Sequence, residues 1–84
     1  MMTAPRYILC STGGITVPQL DICVWADTDD QARERAAPMA VALSAGPYHS
    51  HELFFVGDAT SEEQHHRRVC RISVETTRTP TMRP

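Results

Sequence analysis

The sequence contains no lysine and no asparagine, and it has no apolar run near the ~20 residues that a membrane-spanning helix requires. All eight basic residues are arginine, and ten acidic residues give a formal net charge of −2. Such a chain lacks the excess positive charge with which general nucleic-acid binders neutralise phosphates. The sequence therefore predicts a soluble protein that neither spans a membrane nor binds nucleic acid directly.

Cysteine is scarce as well. Cys10, Cys23 and Cys70 are odd in number and each lies within an apolar run, so a disulfide framework is not expected. The N-terminal residues hold one arginine and an apolar stretch shorter than the core of a secretory signal. We therefore expect a cytoplasmic protein without a cofactor.

The length of 84 residues, with 42% hydrophobic residues, suffices for one compact core and is too short for two. We expect a single domain over residues 1–77. Residues 78–84 contain two prolines and no apolar pattern, which predicts a flexible C-terminal tail.

The first half of the chain predicts two strands joined as a hairpin. Residues 7–12 are rich in strand-favouring types, and Gly13-Gly14 follows as a turn. Residues 19–27 alternate between apolar and mostly polar positions. This alternation assigns Leu20, Ile22, Val24 and Ala26 to one face and Asp21, Cys23 and Trp25 to the other.

A helix is predicted next. Thr28 is placed to cap it, and Gln31 three residues later completes a capping box. Gly46-Pro47 ends it, and Pro38 within it predicts a kink or a break near Ala37. The apolar positions at helical spacing are Ala32, Ala36, Met39, Ala40 and Leu43.

Two further strands complete the prediction. They cover residues 52–56 and 67–77, and the second alternates with Cys70 and Ile72 pointing inward and Arg71 pointing outward. The order ββαββ predicts an α+β fold, a ferredoxin-like two-layer sandwich. In it, a four-stranded antiparallel sheet of order 2-1-3-4 carries the helix on one face.

The four histidines are candidate metal ligands. His49 and His51 form one close pair and His65-His66 another, but both pairs lie in predicted loops without a recognised zinc-ligand spacing. We interpret them as solvated loop histidines and predict no metal site. Cys70 lies near His65 and His66, yet its inward phase predicts inert packing, so no catalytic residue is assigned.

Trp25 is the main candidate for a binding role. It is out of phase with Leu20, Ile22 and Val24, so it faces away from the helix, onto a side of the sheet that a second layer does not cover. Partial covering by neighbouring strands is the structural alternative. The full candidate partner-binding set is Trp25, Asp21, Cys23, Phe54, Arg67, Arg68 and Arg71.

Charge is distributed unevenly along the chain. Residues 1–66 hold nine acidic residues and three arginines, whereas residues 67–84 hold five arginines and one glutamate. The resulting polarity suits a partner of mixed charge, and it suits equally a self-complementary homodimer.

The segment VWADTDDQARERA, with a strand before it and a helix and two strands after it, resembles a pattern of small phage and mobile-element proteins that include anti-CRISPR proteins. The resemblance implies a non-catalytic inhibitor that binds a bacterial protein complex, such as a CRISPR effector. It supplies no functional residues by position. The alternative is a homodimeric α+β domain that binds a small ligand or metal between its subunits.

Overall fold

The computed structural model describes residues 6–57, 67–74 and 80–84. These residues form five strands and one helix in the order ββαβββ. The elements are β1 (Arg6–Gly13), β2 (Leu20–Trp25), α1 (Asp29–Ser44), β3 (Tyr48–Gly57), β4 (Arg67–Val74) and β5 (Pro80–Arg83).

The strands form one antiparallel sheet in the order β2-β1-β3-β4-β5. The α+β class is confirmed, and the first four strands follow the predicted order. The prediction of four strands was wrong, because β5 pairs with β4 through Ile72 opposite Met82 and Val74 opposite Pro80. Part of the segment predicted as a flexible tail therefore belongs to the sheet, and the ferredoxin-like description fits only roughly.

Helix α1 begins as its sequence predicts. The Thr28 hydroxyl accepts a hydrogen bond from the Gln31 backbone N–H at 3.1 Å, and the Gln31 side chain accepts one from the Asp27 N–H at 2.7 Å. The reciprocal bond of the capping box thus reaches one residue beyond the cap. The helix continues through Pro38 to Ser44, so the expected break near Ala37 does not occur.

The core lies between α1 and one face of the sheet. Ala32, Ala36 and Ala40 are fully buried, and their small side chains let the helix approach the sheet closely. The helix packs against sheet residues that alternate along their strands, with Leu9 and Leu53 paired at the centre. The core residues outside the helix are Ala26, which follows β2, and the strand residues Tyr7, Leu9, Val24, Leu53, Val69, Cys70 and Ile72.

Two strand boundaries depend on local backbone requirements. A Cβ atom at Gly13 would collide with the carbonyl oxygen of Pro47, so the end of β1 approaches the start of β3 at a distance that only glycine permits. Strand β3 begins at Tyr48, so the loop predicted over residues 47–51 was wrong for residues 48–51. His49 and His51 therefore lie in a strand.

The close approach of α1 predicts a strong dependence on side-chain size at Ala36. An Ala36→Leu substitution adds volume where the sheet leaves no space, and we expect it to lower the free energy of unfolding by about 1–3 kcal/mol. Urea denaturation followed by circular dichroism measures this change. Ala42→Leu, at an exposed position of the same helix, is the control and should change stability by no more than a few tenths of a kcal/mol.

Candidate protein-binding face

The sheet surface opposite α1 has no second layer of described residues over it. We call this surface the helix-free face. Alternation and strand register assign its residues, because neighbours across strands point to the same side. The charged, apolar and thiol residues of the helix-free face are Arg6, Ile8, Cys10, Asp21, Cys23, Trp25, Glu52, Phe54, Arg68, Arg71 and Arg83.

Trp25 lies at the end of the edge strand β2. Its side chain is 47% exposed, and the predicted phase of β2 is confirmed because Val24 is buried while Asp21 and Cys23 are exposed. The guanidinium of Arg35 donates to the backbone carbonyl of Trp25, which connects the edge strand to α1. Both β2 and α1 therefore hold the backbone that carries the indole.

An apolar depression occupies the middle of the helix-free face. Ile8 on β1 lies opposite Phe54 on β3, and with Cys10, Gln19 and Asp21 they surround a cavity volume of about 270 Å³. One wall is therefore hydrophobic and the opposite rim carries a carboxylate.

Charge on the helix-free face changes sign from one edge of the sheet to the other. Asp21 on β2 and Glu52 on β3 are acidic, whereas Arg68, Arg71 and Arg83 lie on β4 and β5. Glu52 and Arg71 form the boundary as a cross-strand ion pair at 3.3 Å. A fourth arginine, Arg6 on β1, lies opposite Trp25 at one end of the strands, outside the row of residues through Asp21 and Arg83.

Arg67 lies on the other side of the sheet. Its guanidinium donates two hydrogen bonds to the Asp29 carboxylate, at 3.0 and 3.1 Å, and lies 5.1 Å from the centre of the Phe55 ring. It therefore joins β4 to the start of α1. The structure thus brings together six of the seven predicted binding residues and separates Arg67 from them.

The Asp29 carboxylate also accepts a hydrogen bond from the Tyr7 hydroxyl at 2.7 Å. Hydrogen bonds from Arg67 and Tyr7 lower the pKa of Asp29. Burial of the phenol, followed by its hydrogen bond to Asp29, raises the pKa of Tyr7 to about 12. This cluster stabilises the first turn of α1 and is structural.

The thiols differ in their surroundings. Burial raises the pKa of Cys70, and the neighbouring Arg33 only partly offsets this effect. Burial and a hydrogen bond to Asp21 raise the pKa of Cys10. Both shifts favour the thiol over the nucleophilic thiolate. The inward packing predicted for Cys70 is confirmed, and Cys23 is exposed on the helix-free face.

A buried histidine lies near the start of β3, where the sequence predicted a loop. His51 is fully buried, its Nδ1 lies 2.7 Å from the Ser11 hydroxyl, and its Nε2 lies 2.7 Å from the Ser44 hydroxyl. The prediction of a solvated loop residue was wrong for His51, because β3 begins earlier than predicted. His49 is exposed on the same strand. The phase of His51 with Leu53 was the signal that could have identified its burial.

The Ser44–His51–Ser11 series has the order of a nucleophile, a base and an orienting group. Ser44 is the last residue of α1, where the dipole end is negative and carbonyls converge. A negative dipole end beside Ser44 destabilises the oxyanion that forms during acyl transfer. We therefore interpret these three residues as structural. The two serine hydroxyls satisfy both ring nitrogens of a neutral His51 imidazole.

Among the described residues, no three His, Cys, Asp or Glu side chains are grouped so as to hold a metal ion. His65 and His66 lie outside the described residues. In the same described ranges, no helix is long and apolar enough to cross a membrane.

Comparisons of the chain with models of protein families, with curated proteins and with solved structures found no match.

The buried imidazole predicts a specific loss of stability in mild acid. Burial, followed by the nearby His49, lowers the pKa of His51 below 6.5 in the folded state. The unfolded chain then binds a proton more readily, so the His51 contribution is complete above about pH 6.5 and is lost as pH falls below it. We expect the urea midpoint to fall between about pH 7.5 and about pH 5.

The test variant is His51→Gln, and His49→Gln on the same strand is its control. His51→Gln should remove part of this pH dependence, whereas His49→Gln should retain most of it, because burial lowers the pKa of His51 more than the exposed His49 does. Equal pH dependence in His51→Gln and the native chain would contradict the assignment.

Proposed function

We propose that this chain is a small, non-catalytic protein-binding module that acts through its helix-free face. The observation that carries the proposal is the 47% exposure of Trp25 on a sheet surface that α1 does not cover. Tryptophan and arginine are the residues most enriched among those that dominate binding energy in protein interfaces.

The arrangement of polarity supports protein binding. Ile8 and Phe54 give the face an apolar middle, and Asp21 and Arg83 lie at its two edges. An apolar centre with a polar rim is the usual anatomy of a protein interface. Two side chains with the chemistry for catalysis, Cys70 and His51, are buried and packed, which also favours a binding role.

The more specific form of this proposal is a phage-type inhibitor, similar to anti-CRISPR proteins, that binds a bacterial protein complex in the cytoplasm of the host cell. It rests on the resemblance carried by VWADTDDQARERA. That segment forms the end of β2, the cap and the first turns of α1, and it includes Trp25. The unpaired thiols are compatible with a reducing cytoplasm.

A second candidate is a homodimeric domain that binds a small ligand between its subunits. The depression beside Ile8 and Phe54 favours it, since an apolar wall with one carboxylate suits a ligand that has an apolar body and a cationic group. Such a ligand would raise the melting temperature of the native chain and leave that of Asp21→Asn unchanged.

The test of the main proposal compares immobilised variants in capturing CRISPR effector complexes expressed in bacterial cells. We expect Trp25→Ala combined with Arg71→Glu to weaken capture by at least about 30-fold, as removal of a dominant interface residue does. Ile15→Ala is the matched control, because it removes an apolar side chain that is fully exposed in the β1–β2 loop.

Equal capture by the double variant and by Ile15→Ala would contradict the assignment of this face. Circular dichroism of the variants distinguishes a loss of binding from a loss of folding.

A further inference from the structure

We propose that the helix-free face pairs with the helix-free face of a second copy of this chain, with β2 of each copy over β5 of the other. This inference rests on the proposed protein-binding role of the face and adds a second copy of the chain as an occupant that competes there with the bacterial protein complex. A two-fold axis along β3, between the two stacked sheets, produces this arrangement.

The first argument is the order of charges along one row of the sheet. Across the five strands, the row reads Asp21, Cys10, Glu52, Arg71 and Arg83, because these residues lie opposite one another in register. The row is acidic at one edge and basic at the other. Rotation about an axis along β3 exchanges the two edges, so each acidic edge faces a basic one.

The second argument is that the charges at the two edges have no oppositely charged partner among the residues that the structure describes. Asp21 accepts hydrogen bonds from the Gln19 amide, at 3.1 Å, and from Cys10, neither of which carries a positive charge. Arg83 has no ion pair within the described residues. Four strand spacings of about 4.8 Å separate the two edges, too far for an ion pair within one chain.

The third argument distinguishes a second copy from a partner with charge of one sign. The helix-free face carries two carboxylates and four guanidinium groups, and within the row through Asp21 and Arg83 two carboxylates stand against two guanidinium groups. A strongly acidic partner meets repulsion at Asp21 and Glu52, and a strongly basic partner meets it at the arginines. A copy of the same face matches both edges at once.

The face is small, which sets the expected affinity. Five strands of about six residues span roughly 20 Å by 20 Å, about half the standard interface of ~800 Å² per partner. Glu52 meets the partner's Glu52 near the axis, where each is already paired with Arg71. We therefore expect a weak dimer that is detected at protein concentrations between about 10 µM and about 1 mM.

Sedimentation velocity over that concentration range tests the arrangement with two charge reversals. Asp21→Arg and Arg83→Asp should each weaken dimer formation by at least tenfold, since each creates two like-charge contacts. An equal mixture of these two variants should associate again, because every edge contact then joins opposite charges. Glu34→Arg, at an exposed position of α1, is the matched control and should dimerise like the native chain.

Two results overturn the proposal: a native chain that stays monomeric at every concentration, or a mixture no more associated than either variant alone. Circular dichroism verifies that both variants are folded, as expected for exposed positions. Neither result affects the broader protein-binding role, which capture of a different protein tests independently through Trp25 and Arg71.

Discussion

A single helix has to cover a five-stranded sheet, and it covers only one face. The 16-residue helix is about 24 Å long and packs through a narrow line of alanines, so all of its buried contacts are made with one side of the sheet. Within the described part of the chain, the opposite side has no equivalent layer. Because of this asymmetry, Trp25 and the change of charge sign lie on a face of the sheet that the helix leaves open.

The position of the helix depends on polar contacts at both of its ends. At the start, Asp29 binds Tyr7 from β1 and Arg67 from β4, which joins three elements around one carboxylate. At the end, Ser44 binds the ring of His51, whose other nitrogen binds Ser11. Polar groups with satisfied partners, half-exposed around Asp29 and buried at His51, fix both ends of the helix against the sheet.

Much of the fold was predictable because local patterns and tertiary contacts agree. The alternation over residues 20–26 assigned the faces of β2, and the Thr28 cap located the start of α1. The start of β3 was missed because His49 and His51 are polar, and burial of the latter depends on serines distant in sequence. Strand β5 was missed because a proline-rich segment forms a strand only through pairing with β4.

The position of Arg67 shows why a sequence pattern alone does not define a site. Simple alternation assigns Arg67 and Arg71 to the same face, four residues apart. A β-bulge opposite Leu53 and Phe54 shifts the register of β4, so Arg68 joins the helix-free face and Arg67 turns to the helix side. No local signal in the sequence marks this bulge.

The central claim, that the sheet has one covered and one open face, is tested most directly by thiol alkylation of the dilute native chain followed by mass spectrometry. Cys23 and Cys70 lie on opposite sides of the same sheet. The account predicts that Cys23 reacts while the chain is folded and that Cys70 reacts only as fast as the chain unfolds. Reaction of both thiols at the same rate in the folded chain would contradict it.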